Sequence, residues 1–438
     1  MSSAAPFTTG RHAPVLGQLD TVLRPLVAFA MDLHQHPELS GAETRTAACL
    51  ADALEAEGYT VTRGIGGHGV VGALTNGEGP RVYLRAELDA LPVRERTGLP
   101  YAADGPHMHA CGHDLHIAAA LGTATLLARA RAHWRGSVVV VGQPAEETLT
   151  GARSMLADGL YDRFGRPDAV LAQHTAPLLG GMVAHGHGQP VLAGSVGLDV
   201  TLHGRGGHAG APQLTVDPVL AAAAVVMRLQ GIVARESAPA EQTTLTVGSL
   251  HAGTHSNVVP ESAALGITVR ALTPAALDRA VAAVERIVRA EATASGCPRE
   301  SEITMVSRSP VTLPDEHLTA AIRDAHREAL GAERVAAWPP SMATEDFGLY
   351  GDAGREIHGC SGVPLGYWMV GVVGPRQWAA TADAGGTAER FAALPSNHSP
   401  EFAPHLPLAL PSATTAMTVA ALTALGAHGR TTPPAAAV

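Results

Sequence analysis

"GSVVVVGQPAEE", residues 136–147, decides how this chain folds. Its first two thirds form a short, almost fully apolar run. A strand without alternation is buried on both faces, as strands of a parallel sheet are. The surrounding segments alternate in the same sense. "ETRTAACLADALEAEG" (43–58) reads as a helix stopped by Gly58. "RVYLRAEL" (81–88) is strand-like, "DLHIAAALGTATLLARARA" (114–132) helical, and a helix is expected from Gly151 to about Asp158. "PDAVLAQH" (167–174) is another apolar strand, which His174 terminates in this reading. Apolar strands alternating with helices predict an α/β domain with a mostly parallel sheet covered on both faces.

From about Gly194 the pattern changes. "SVGLDVTLHG" (195–204) alternates, with Val196, Leu198, Val200 and Leu202 on one face. A helix follows, with Asp217 as N-cap and Pro218 at its first position. Then come strands in "QTTLTVGSL" (242–250) and "AALGITVRAL" (263–272). A second helix follows, with a Leu277, Val281, Val284, Val288 stripe, and "EITMVS" (302–307) closes the series. Strand, helix, strand, strand, helix, strand is the ferredoxin-like split arrangement. Residues 194–309 are therefore expected to form an inserted α+β domain. The catalytic domain is expected in two parts, 14–193 and 310–428, resuming at "DEHLTAAIRDAHREALG" (315–331).

The 438 residues suffice for two or three domains. With 46% hydrophobic and 16% charged residues the chain reads as globular rather than disordered. A formal net charge of −10 disfavours nucleic acid and anionic membranes as partners. No apolar run is read as approaching a membrane span, and no signal peptide is read at the N-terminus. Cys49, Cys111, Cys297 and Cys360 are too few and scattered for a disulfide framework, which fits a reducing cytoplasm. The ends, including "RTTPPAAAV" (430–438), read as loose tails.

Ligands of open α/β sheets bind outside the carboxyl ends of the strands. Asp89, Glu146, Glu147 and His174 fall there, and Cys111 and His113 lie just before a helix, in "HMHACGHDLH" (107–116). A thiolate, imidazoles and carboxylates are the donors of zinc and similar divalent ions. "CGH" alone also suits a cysteine nucleophile with its base, but the acidic pair would then have no task. One carboxylate of "EE" can bind metal while the other takes a proton from a metal-activated water, chemistry that suits amide hydrolysis.

"DLHQHPELSGAE", "RAELDALPV", "MHACGHD", "QPAEE", "GRGGHAGAP", "TEDF" and "NHSPEF" resemble the motifs of the M20 metallopeptidase clan. The similarity is to its amidohydrolase branch, that of hippurate hydrolases, N-acyl-amino-acid amidohydrolases and auxin-conjugate hydrolases, and it runs from about Asp32 to Phe402. The resemblance implies Cys111, His113, Glu147, His174 and His398 as ligands of two divalent metal ions, and Glu146 as general acid/base. One ligand is shared between the ions, with Cys111 a candidate for the bridge. Cysteine and histidine donors favour zinc, manganese or cobalt over magnesium. The resemblance also implies a homodimer in which His208 reaches the partner's site to polarise the scissile carbonyl. Asn257 and Arg270 resemble substrate-holding positions, although His208 could be a surface turn residue and Arg270 part of an ion pair.

Three departures stand out. Relatives usually read "RADMDALP", and here Glu87 replaces the first Asp while Asp89, expected to orient a ligand, is kept. Leu115 stands where many members have Gly, suggesting a narrower mouth. "GPRQWAATADAGGTAERFAALP" (374–395) looks longer than usual, either mobile or shaping specificity. The expected activity is hydrolysis of an N-acyl amino acid or similar small conjugate. The alternatives are an exopeptidase acting on dipeptides and a non-catalytic binder of the same fold.

Overall fold

A computed structural model describes residues 12–238 and 241–426. The expected tails, apart from His12, and the last two residues of the expected 310–428 segment lie outside the described residues. The chain divides into two units. The first is Met1–Val191 with Pro314–Pro339 and Asp346–Val438, and the second is Leu192–Leu313 with Pro340–Glu345. The short return of Pro340–Glu345 to the second unit was not anticipated.

The first unit carries β1 (Thr60–Ile65), β2 (Gly69–Asn76), β3 (Arg81–Glu87), β4 (Gly136–Gln143), β5 (Ala169–Leu179) and β6 (Val183–His185). Numbering past the strands of the second unit, it also carries β13 (Val335–Ala337) and β14 (Leu365–Val373). They form one sheet in the order β1-β2-β4-β3-β5-β14-β6-β13. The pairs β3/β4, β3/β5, β5/β14 and β6/β13 are parallel, and the other three are antiparallel. The fold is thus mixed α/β with a mostly parallel centre. Val82, Leu84 and Ala86 of β3 join the core built with helices Leu19–Gln35, Thr44–Ala56, His113–Arg129 and Leu406–Gly426. On the opposite face Tyr83 meets Tyr161 edge-on at 5.7 Å, next to buried Val139 and Val141. Burial on both faces explains why "SVVVV" shows no alternation.

The second unit holds β7 (Gly194–His203), β8 (Gly207–His208), β9 (Thr243–Ala252), β10 (Val258–Val259), β11 (Ser262–Ala271) and β12 (Glu302–Ser309). Four form an antiparallel sheet, β12-β7-β11-β9, and β8 and β10 make a separate two-stranded ribbon. Helices Pro218–Gly231 and Pro274–Ala294 cover the face made by Val196, Leu198, Val200, Leu202, Leu265, Ile267 and Val269. Asp217 caps the first of these helices by accepting from the Val219 and Leu220 amides, an interaction typically contributing about 1 kcal/mol.

Three expectations need correction, and one segment left open by the sequence is partly helical. His174 does not end its strand, because β5 runs on to Leu179 by pairing with β14, Met369 opposite His174 and Val373 opposite Leu179. Leu115 is fully buried in the core, so it cannot narrow a site mouth. The 374–395 segment contains two short helices, Pro375–Ala380 and Thr387–Ala392. Arg390 lies 3.7 Å over the Trp378 ring and donates to its carbonyl, while Phe391 stacks on Trp338. Finally, Leu406–Gly426 and Pro218–Glu236 are long and apolar enough, by length and composition, to cross a membrane. Ser, Thr and Pro interrupt the former's apolar run in the sequence. Most of its apolar window, 83%, is buried within the protein, as a core helix requires.

Candidate metal centre

The site is built where β3 and β5 part company. Their ladder ends at Leu84 opposite Leu171, leaving a gap beyond. Asp89 follows β3, the Glu146–Glu147 pair follows β4, and His174 lies on the free stretch of β5. The helix His113–Arg129 starts at the same gap. The "CGH" spacing works because Gly112 adopts φ +82°. A Cβ there would also come within 2.7 Å of the Thr175 Cγ2, so only glycine fits between Cys111 and His113.

The histidines are oriented by backbone carbonyls. His113 Nδ1 lies 2.8 Å from the Asp89 carbonyl oxygen, and His174 Nδ1 lies 2.9 Å from that of Thr175. A carbonyl can only accept, so each Nδ1 carries the proton and each Nε2 is left as a donor of electrons. His174 Nε2 approaches Cys111 Sγ at 3.4 Å. His113 Nε2 lies 3.8 Å from Glu146 Oε2 and 3.9 Å from Glu147 Oε1. His398 Nε2 is 3.4 Å from Glu147 Oε1. His398 sits at φ +69°, a conformation costing about 1–3 kcal/mol in a non-glycine residue, and its amide donates to the Ala110 carbonyl. Ala145, just before the acidic pair, is strained in the same sense at φ +51°.

Asp89 binds this shell together. Its Oδ2 accepts from Ser40 Oγ at 2.7 Å and from the Glu147 amide at 2.9 Å, and its Oδ1 lies 3.3 Å from His113 Nδ1. Burial would push its carboxyl up, but the bonds to His113 and to the Glu147 amide hold it below the usual range. Sequence reasoning missed three further members. Buried Glu43, at the end of "DLHQHPELSGAE", accepts from the Gly41 and Ala145 amides and so fixes the strained turn. Asn397 donates to the Cys111 carbonyl and to Thr175 Oγ1. Thr175 Oγ1 in turn donates to the Cys111 carbonyl. Position beside His398 and His174 is the only signal that could have found Asn397 and Thr175.

The electrostatics suit a cation. Burial alone would raise the Cys111 thiol, but the charges on His174 and His113 hold it well below the usual thiol range. Conversely, Cys111 outweighs burial to raise His113 well above an ordinary imidazole and to lift His174 to about 9. The neighbouring Cys111 and Glu147 lift His398 to about 10. Burial, with the Cys111 charge, raises Glu147. His113 Nε2 and Glu147 Oε1 are buried with no hydrogen-bond partner, a cost that ligation would remove. Two groups, Cys111–His113–His174 and Cys111–Glu147–His398, have donor atoms within 4.8 Å of one another, and they share Cys111. The residues present therefore fit a pair of divalent ions. The nearby group Glu87–His113–His116 does not fit one. His116 uses Nδ1 toward Glu87 and Nε2 toward the Thr175 amide, which leaves no lone pair.

The remaining predicted residues lie in the second unit. His208 is exposed on β8, opposite Val258 of β10, and its Nδ1 accepts from the Gly210 amide. Asn257 is exposed beside it, its carbonyl accepting from the Ala209 amide, so the structure brings these two together. Arg270 sits on β11 and donates to the Met342 carbonyl at 2.7 Å. Among the described residues it forms no ion pair.

Residues 83–376 match the model of Peptidase family M20/M25/M40. An IAA-amino acid hydrolase (ILR1-like 2) of Arabidopsis thaliana is 32% identical over 330 residues, 75% of this chain and 74% of that protein. A hippurate hydrolase of Campylobacter jejuni is 34% identical over 321 residues, 73% of this chain and 82% of its own length. Among solved structures, a dinuclear metal binding peptidase of the M20 family from Bacillus subtilis superposes with TM-score 0.71 at 26% identity, covering 92% of this chain and 99% of its own. The chain belongs to Peptidase family M20/M25/M40 and is an amide-cleaving hydrolase of its amidohydrolase branch.

Proposed function

We propose that this enzyme hydrolyses the amide bond of an N-acyl amino acid or a similar small conjugate. The observation carrying this reading is the position of Glu146, a buried carboxylate beside two donor groups that share Cys111. Cys111, His113 and His174 would hold one divalent ion, and Cys111, Glu147 and His398 the second. Thiolate and imidazole donors favour zinc, manganese or cobalt. Such ions supply the Lewis acidity that lets water lose a proton near neutral pH. Glu146 takes that proton and delivers it to the leaving amide nitrogen. Asp89 keeps His113 in the tautomer whose Nε2 faces the donors.

Arg270, lacking a carboxylate partner among the described residues, binds the substrate carboxylate with its planar fork, and Asn257 assists. The names of the relatives, one acting on IAA-amino acids and one on hippurate, support an acylated amino acid as substrate. A panel of N-acetyl and N-benzoyl amino acids tested against dipeptides decides the class. The acyl compounds are expected to show the higher kcat/KM, by about tenfold or more. Faster cleavage of dipeptides would assign an exopeptidase. Metal-loaded protein that cleaves neither would be a binder.

The working unit in this reading is a dimer, and the enzyme is cytoplasmic. Four free cysteines support a reducing compartment. Leu220 and Met227, seven apart on the helix Pro218–Gly231, are 69% and 75% exposed, and β9 is a sheet edge. His208 then serves the partner's site as an oxyanion donor. His208→Ala and Glu146→Gln proteins should each be nearly inactive. One site of a mixed dimer would combine an intact metal centre from the first with an intact histidine from the second. Subunit exchange between them is expected to restore part of the activity. Confirmed exchange without recovery rules out action in trans.

A further inference from the structure

The gap between β3 and β5 contains a side chain that the proposed chemistry does not use. Past Leu171 the β5 amides on that side face no strand. At Thr175 the missing partner is replaced by a histidine, the Thr175 amide donating to His116 Nε2 at 3.0 Å. An amide N–H can only donate, so Nε2 is the acceptor and His116 Nδ1 carries the proton. That proton goes to Glu87 Oε2 at 2.8 Å. Glu87 is held in turn by Arg85, which also bonds Gln143 Oε1 at 2.9 Å and Asp346 Oδ1 at 3.0 Å. Every side chain from Asp346 to His116 is buried. At the other end, the Thr175 carbonyl accepts the His174 Nδ1 proton and fixes which nitrogen faces Cys111.

We propose that His116 is a positioning residue for His174: it holds Thr175 in place of a strand, so that the Thr175 carbonyl sets the tautomer and direction of the His174 ring. The inference rests on the reading of His174 as a metal donor. His116 follows His113 by one helical turn, and its ring centroid is 5.0 Å from that of His174, yet both its nitrogens are spent on Glu87 and Thr175. It therefore acts through the backbone rather than as a ligand. The buried Asp346–Arg85–Glu87 chain fixes the carboxylate to which His116 donates. Removing a carboxylate-anchored group behind a metal-binding histidine lowers metal affinity by about 10–100-fold.

The test is cobalt binding to apo-protein, measured by chelator competition and by the ligand-field absorption of the bound ion. His116→Phe keeps a flat ring but loses both hydrogen bonds. It is expected to bind cobalt about 10–100-fold more weakly, with displaced absorption bands. His116→Gln, whose amide oxygen can accept from Thr175 while its nitrogen donates to Glu87, is expected to recover most of the affinity and the parent spectrum. If circular dichroism shows that the Phe variant does not fold, His116→Asn replaces it, being one methylene too short to span both partners, with the same expected loss. A folded Phe or Asn variant with the parent's affinity and spectrum overturns the inference, as does a Gln variant no better than they are. A parent protein that takes up no cobalt contradicts the metal-site reading instead.

Discussion

Glu146→Gln is expected to keep the metal content of the parent while kcat falls by about 100-fold or more. The substitution preserves size and most hydrogen bonding but cannot take and return a proton. Glu146 is buried, and it follows the strained Ala145, whose amide is pinned by Glu43. Its carboxylate is thus aimed by the backbone and should stay in place as an amide. Its neighbour Glu147 belongs to a donor group with Cys111 and His398, so under the proposed assignment the metal would be held without Glu146. The loss should fall on kcat, with KM little changed, because the interaction is made in the transition state. Turnover and metal per chain, measured on the same preparation, check this. Normal hydrolysis would remove Glu146 from proton transfer, and loss of metal would make it a ligand.

Much of this architecture is legible from local pattern. The unbroken apolar run before "QPAEE" announces a strand buried on both faces, and the second unit's alternating strands and capped helices follow familiar periodicities. What escaped depends on distant partners. β5 runs past His174 only because β14, nearly two hundred residues later, continues to pair with it. Leu115 reads as a site residue from its motif, but the helix it belongs to is buried from His113 to Leu127, so its side chain lies in the core. Leu406–Gly426 shows almost no polar stripe because it too is enclosed. At the site, Cys111 and His113 before a helix, Glu147 after a strand and His174 in an apolar strand could be picked out from local pattern, whereas His398 needed the family resemblance. Thr175, Asn397 and Glu43 act through hydrogen bonds to backbone, which no residue type or spacing advertises. Glu87 reads only as a departure from the usual motif, with no role assigned, yet it anchors a buried chain leading to His174.

Removing the metal is expected to abolish turnover without unfolding the protein. In the stripped site the Cys111 thiolate is balanced by His113 and His174, whose protonated forms it stabilises, so the donors keep one another in place. The backbone carbonyls of Asp89 and Thr175 hold both rings in either state. What is lost is the Lewis acidity that makes water a nucleophile near neutral pH, for which no other group among the described residues substitutes. The decisive measurement is the rate at which exhaustively metal-free protein releases the free amino acid from an N-acyl amino acid, before and after titration with zinc, manganese or cobalt. The account predicts no turnover before titration and recovery that saturates at two ions per chain. Full activity in the metal-free protein would contradict it.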